Sequence, residues 1–266
     1  MSVPRRAHGR IVTVFAAKGG YGKTTLSTNL AVTLNASGAR VCLVDLDFEF
    51  GDIARWLRLE PTRTLLDAIP LQGKLNAAGG ASLITPYRPA LDCILAPVDP
   101  GQAAKLPSNV TAELLAVLPS LYDYVVVDAP AKLSLHTLSA LDSSHHHVLL
   151  STPERPALKN LRRTLDTLEL LSYGRQLRSV VINQAGSRLG LTAEEINRLV
   201  RSPIAARVPY IWDVPAAINR GVPLAISRPD HPVVRAIGEF ARAHLTAERA
   251  AQPGFVAADG AGRRPA

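Results

Sequence analysis

Residues 18–25 read Lys18-Gly19-Gly20-Tyr21-Gly22-Lys23-Thr24-Thr25, a glycine-rich stretch that carries two lysines and ends in two hydroxyls. Phosphate binding is the chemistry these types and spacings support. Gly19, Gly20 and Gly22 let backbone N–H groups approach an anion with no Cβ in the way. Lys23 and Thr24 stand where the pattern G-x-x-x-x-G-K-[ST] places a lysine for the β- and γ-phosphates and a hydroxyl for Mg²⁺. Ala17 replaces the first glycine, so the ordinary pattern is missed by one residue. Two apolar runs end in carboxylates, Asp45-Leu46-Asp47 and Asp128-Ala129-Pro130. A carboxylate closing a short apolar strand is the arrangement that holds Mg²⁺ directly or through water. Any one of these aspartates alone would serve equally as a helix cap or turn former. The neighbouring loop favours the metal role.

Such residues need elements to hold them. Residues 10–16 predict a strand buried on both faces. Residues 24–36 predict a helix, with Leu26, Leu30 and Leu34 at helical spacing and Gly38 just past its end. Further strands are expected at 40–45, 82–85, 91–96, 123–128, 147–151, 178–182 and 204–208. Helices are expected at 51–58, 109–118, 134–142, 156–171, 192–201, 214–220 and 231–245. Alternation of this kind predicts an α/β fold. It would be a mostly parallel, twisted sheet of about eight strands with helices on both faces and ligands at the carboxyl ends of the strands. A chain of 266 residues, 47% hydrophobic and 20% charged, fits one such domain. That domain is expected at 10–246, between a flexible N-terminus (1–9) and a tail (247–266) whose Ala, Gly, Pro and Arg lack periodicity and predict disorder.

No apolar run has the length of a membrane span, and the basic N-terminus leads straight into the first strand rather than into a signal sequence. A cytoplasmic protein is the expectation. Cys42 and Cys93 lie far apart in apolar runs and read as buried free thiols. Without a C-x-x-C pair, iron–sulfur and zinc sites are disfavoured. His145-His146-His147 enters a strand, where side chains alternate faces and do not converge on one metal. Ser134 and His136 read as helix-start residues. The net charge of +8 permits contact with nucleic acid or an anionic membrane. The arginines are scattered, which fits a solvated helical surface equally well.

The form K-G-G-x-G-K-[ST]-[ST] resembles the deviant Walker A motif of MinD/ParA ATPases, a branch of the P-loop NTPases. The segment Asp45-Leu46-Asp47-Phe48-Glu49-Phe50-Gly51-Asp52 is similar to the D-L-D-x-x-F-G-D stretch of CpaE/TadZ-like members. Asp128-Ala129-Pro130 and the helix start at Pro156-Ala157-Leu158-Lys159-Asn160 agree with that branch. The resemblance covers roughly residues 10–245. It implies ATP and ADP as ligands with Mg²⁺, slow hydrolysis, and a homodimer in the ATP state in which Lys18 crosses to the partner's phosphates. It implies that Asp128 holds Mg²⁺, and that Asp47, in switch I, positions the attacking water and balances the metal. Asp45 would support the strand end and the phosphate loop. Asn183, closing Val180-Val181-Ile182, would hydrogen-bond the base, although a turn-forming Asn fits the same position. Pro209 and Tyr210, with Asp213, would close over adenine and ribose. Tyr21 and Thr25 complete the nucleotide loop, with the Tyr21 ring at a dimer face or in solvent. CpaE/TadZ-like proteins are linked to the placement of pilus and secretion assemblies, so protein partners from such a system are expected. So is residence at discrete sites near the cell pole, septum or inner membrane face. Two rivals stand: a partition ATPase that binds DNA weakly and without sequence preference through Arg162, Arg163, Arg198 or Arg201, and a nucleotide-holding scaffold with negligible turnover.

Overall fold

In a computed structural model of the chain, residues 8–186 and 191–246 are described. The expected N-terminal segment lies mostly, and the expected tail wholly, outside them. The strands are β1 (Arg10–Phe15), β2 (Val41–Asp45), β3 (Thr85–Arg88), β4 (Leu91–Ile94), β5 (Tyr124–Asp128), β6 (His146–Ser151), β7 (Arg178–Ala185) and β8 (Ile204–Pro209). They form one eight-stranded sheet in the order β3-β4-β2-β5-β1-β6-β7-β8. Every pairing is parallel except β3 with β4, which is antiparallel at one edge.

The helices are α1 (Lys23–Ala36), α2 (Ile53–Trp56), α3 (Ala77–Ser82), α4 (Ser108–Val117), α5 (Leu135–Ser143), α6 (Arg155–Leu170), α7 (Ala193–Val200), α8 (Asp213–Arg220), α9 (Leu224–Ser227) and α10 (Pro232–Ala241). Alternate residues of each central strand feed opposite layers, which is why these runs are apolar throughout. Val12, Val14, Leu43 and Val126 pack with α1 and α10, while Cys42, Val44, Val125 and Val127 pack with α4. Phe15, Leu149 and Ile182 pack under α6 and α7. Val233, Val234, Ile237, Phe240 and Ala241 of α10 are all buried, so that stripe is core. Cys42 and Cys93 are buried free thiols.

Several boundaries depart from the sequence reading: β7, expected to end at residue 182, runs to Ala185, and β4, expected to reach 96, ends at Ile94. The strand expected at 82–85 begins only at Thr85, because Leu83 is buried at the end of α3. The helix expected at 51–58 shrinks to Ile53–Trp56, and Arg58 takes a left-handed φ of 52° that ends it. The last helix is α-helical to Ala241 and then widens into a π turn over Arg242–Thr246. The chain order reverses direction across the sheet at β1, which places the carboxyl ends of β2, β5 and β1 beside one another at the switch point where ligands bind in such sheets.

Candidate nucleotide site

A cavity of about 610 Å³ opens at that switch point. Its floor is the loop between β1 and α1. Gly20 and Gly22 hold φ of 81° and 91°, a conformation open to glycine at little cost. Gly22 is also fixed by crowding: a Cβ there would lie 2.4 Å from Asn183 Nδ2. No side chain caps the N-terminus of α1, so its first N–H groups and the positive end of its dipole face the cavity. The Lys23 side chain is buried at the same place. Backbone donors, a helix terminus and a buried cation together make an anion site.

The acidic side is built by strand pairing. Asp45 and Asp128 are register partners at the ends of β2 and β5, and both are buried. Thr24 Oγ1 donates to Asp128 Oδ2 at 2.6 Å and Ser27 Oγ donates to Asp128 Oδ1 at 3.1 Å. Burial pushes the Asp128 carboxyl up to about 6, against the opposing pull of Thr24, Lys23 and Ser27. Burial, then the nearby Asp128, push Asp45 well above the ordinary carboxylate range. A hydroxyl and a carboxylate in contact beside a phosphate cradle are hard oxygen donors suited to Mg²⁺, which takes few protein ligands and completes its shell with phosphate oxygens and water. Thr24 and Asp128 therefore offer oxygen donors of the kind that metal takes. Asp47 lines the cavity, partly exposed, and its Oδ1 accepts from the Phe50 N–H at 3.2 Å.

Asp45 corrects the sequence reading in part. Its carboxylate accepts from the N–H groups of Asp47 (3.0 Å) and Ile53 (3.2 Å), so it braces the loop after β2 rather than the phosphate loop. Gly51 belongs to that brace, since a Cβ on it would lie 2.9 Å from Asp45 Oδ2 and 2.5 Å from the Ala96 methyl.

The remaining expected residues fall into place unevenly. Gly19, Gly20, Gly22, Lys23, Thr24, Thr25, Asn183 and Pro209 line the cavity. Asn183 spends one amide N–H on the Tyr21 carbonyl at 2.9 Å and so ties β7 to the phosphate loop. Asp213 does not line the cavity: its carboxylate pairs with Arg228 (2.5 Å) and His231 (3.5 Å) at the start of α8. The expectation that Asp213 closes over the ribose is therefore not met in this conformation. The Tyr21 ring packs, partly buried, against the main core, where the sequence reading offered a dimer face or solvent. Lys18 is exposed and does not line the cavity. Ser134 caps α5, accepting from Thr137 N–H. His146 and His147 diverge, toward Ser179 and the Leu141 carbonyl respectively.

Several site residues escaped the sequence reading. Ser27 had a signal that could have found it, lying one helical turn after Thr24 and so on the same face. Glu49 and Lys132 form an ion pair at the mouth of the cavity, and Trp56, Val214 and Ile218 wall its apolar end. These come from separate segments and carried no local signal.

Residues 12–224 match the family model described as the CobQ/CobB/MinD/ParA nucleotide binding domain. The septum site-determining protein MinD of Thermotoga maritima is 25% identical over 228 residues, 82% of each chain. The chromosome-partitioning ATPase Soj of Thermus thermophilus is 33% identical over 227 residues, 83% of this chain and 85% of its own. Among solved structures, the septum site-determining protein MinD of Pyrococcus horikoshii, complexed with Mg-ADP, shares the fold. Its TM-score is 0.77 over 92% of this chain and 99% of its own, at 22% identity. Among the described residues, no helix is long and apolar enough to cross a membrane.

Proposed function

Because this chain belongs to the CobQ/CobB/MinD/ParA nucleotide-binding family, we propose that it is a Mg²⁺-dependent ATP-binding and hydrolysing switch that dimerises in the ATP state and positions a cellular assembly. The observation that carries this reading is the Thr24–Asp128 hydrogen bond of 2.6 Å beneath the uncapped start of α1, beside buried Lys23. Their arrangement supports a site for a terminal phosphate and its metal. Bound Mg²⁺ would neutralise phosphate charge. Lys23 and the α1 N–H groups bind and orient the β- and γ-phosphates, since stabilising their charge is most of what a phosphoryl-transfer site does. Asp47, on the cavity wall, orients the attacking water. Lys18, exposed at the foot of the loop, reaches the phosphates of a second copy. Turnover in one subunit is then slow, because that second cation arrives only with dimerisation.

Multiple-turnover phosphate release tests the chemistry. The Asp47→Ala protein should bind ATP as the wild type does and hydrolyse it at least tenfold more slowly. Equal loss of nucleotide affinity would assign Asp47 to binding, and wild-type protein that releases no phosphate beyond one turnover would leave the scaffold reading.

The D-L-D-x-x-F-G-D segment supports a pilus or secretion assembly as the cargo. A fluorescent fusion should then form discrete foci that Lys23→Ala disperses, and unchanged foci would separate location from nucleotide state. A second reading, a partition ATPase that tracks on DNA, draws support from a groove between α6 and α7. That groove is lined by Arg155, Lys159, Arg162, Arg163, Arg198 and Arg201. ATP-dependent DNA binding that survives about 150 mM salt and weakens with Arg198→Ala and Arg201→Ala would favour it.

A further inference from the structure

The ion pair between Glu49 and Lys132 joins the loop after β2 to the loop after β5, and both side chains line the cavity. These loops leave the strands that carry Asp45 and Asp128. The two side chains are 53% and 59% exposed, and a pair so open to solvent contributes little to stability. It opens easily. What it holds is more consequential. The Lys132 carbonyl accepts from the Ser134 N–H at 2.9 Å and the Thr137 hydroxyl at 2.7 Å, which fixes its backbone to the start of α5. Only the flexible four-carbon stem is left to move. Glu49 sits in a turn between Asp47 and Gly51, next to Phe50, which is 76% exposed. Beside the pair, Phe48 packs edge-on against His136 with centroids 5.0 Å apart, and His136 Nδ1 bonds Thr111 at 2.8 Å. Opening the ion pair therefore leaves the two loops docked while freeing the Glu49 side chain.

A polyphosphate in this cavity meets Glu49 as a like charge and Lys132 as an opposite one. Buried Lys23 serves the floor of the site, and exposed Lys18 lies outside it. That leaves Lys132 as a lysine on the cavity wall whose present partner is a carboxylate the ligand would displace. We propose that Lys132 exchanges Glu49 for the terminal phosphate of ATP in its own subunit, so that the Glu49 side chain is freed only when that phosphate is present, while the Asp47 backbone stays held by Asp45. ADP, one phosphate shorter, leaves the pair closed. The exchange is of non-covalent partners only, and it rests on the reading of the cavity as a nucleotide site.

Calorimetric titration with Mg²⁺ and either AMP-PNP or ADP tests it in wild type, Lys132→Met, Lys132→Arg and Glu49→Gln. Lys132→Met should reduce the preference for AMP-PNP over ADP by roughly tenfold, the scale of one lost charge-assisted hydrogen bond, with ADP affinity unchanged. Lys132→Arg should keep most of that preference, and Glu49→Gln should tighten AMP-PNP several-fold by removing the competitor. Wild-type preference retained in Lys132→Met, or Glu49→Gln that tightens both nucleotides equally, overturns the exchange while leaving the nucleotide site standing. A wild-type protein that binds neither nucleotide removes both.

Discussion

The two ends of the cavity are built in opposite ways. The phosphate end is compact in sequence: the loop before α1, the first turn of α1 and the short loops after β2 and β5 line it, with buried Asp128 bonded beneath Thr24. Its polar groups are buried and bonded to one another, as Thr24, Ser27 and Asp128 illustrate. The other end is assembled from Asn183 and Gln184 near the end of β7, Pro209 to Ile211 at and after the end of β8, Trp56 of α2, and the apolar faces of α8 and α10. Tyr210 there is 41% exposed and touches Trp212, which is 78% exposed and outside the lining, edge to face. Rigid preorganisation where charge must be stabilised, and adaptable apolar contact elsewhere, is the expected division for a site whose chemistry is electrostatic.

Substitutions at the two ends should therefore differ in size. Lys23→Ala removes the buried cation and should cost at least a hundredfold in ATP affinity by calorimetry. A loss under tenfold would mean that the backbone cradle alone holds the phosphates. At the same end, Asp128→Asn should stabilise the nucleotide-free protein. Its folded-state pKa is raised, from 3.8 to about 6. The folded protein thus binds more protons than the unfolded chain between those values, and stability from this group is complete at low pH and lost as pH rises through about 6. The loss by pH 7 is on the order of 2–3 kcal/mol. Thermal melts from pH 4 to 7 should show that decline in wild type, and a flatter profile with a higher Tm at pH 7 in Asp128→Asn. The same variant should lose Mg²⁺-dependent nucleotide binding. Identical melting profiles would place the buried charge elsewhere in the pair.

Between the two ends, Gly22 and Asn183 are the point of contact. Gly22→Ala adds left-handed strain of about 1–2 kcal/mol and a clash with the Asn183 amide. Asn183→Ala loses one hydrogen bond, about 1 kcal/mol. If that contact links the halves, the double variant should be more stable than the sum of the singles predicts, because the clash is gone. Strict additivity in urea melts would uncouple them. The smallest effect belongs to Tyr210→Ala, where a few-fold loss of ATP affinity with unchanged phosphate-release rate would mark a contact to the base end alone.

The same contrast explains what could be read from residues 1 to 266 without coordinates. The loop, Thr24, Asp128 and the eight strands were legible because each follows from a local pattern: a glycine spacing, an apolar run, a carboxylate at its end. Asp213 was misplaced because its neighbours in space, Arg228 and His231, lie on a later loop that no local rule connects to it. The core packing of Tyr21 carried no local signal, since the residues it packs against are distant in sequence. Glu49 and Lys132 went unseen since they meet only once β2 and β5 are paired. The edge strand β3 was shifted by tertiary burial of Leu83, which overrode a strand-like run.

Light scattering on the Asp47→Ala protein, with saturating Mg-ATP and then with Mg-ADP, tests the proposed switch most directly. Blocking hydrolysis holds the ATP state long enough to weigh it. Twice the mass of one chain in ATP and a single chain's mass in ADP is the predicted result. The same mass with both nucleotides would contradict a switch driven by the terminal phosphate.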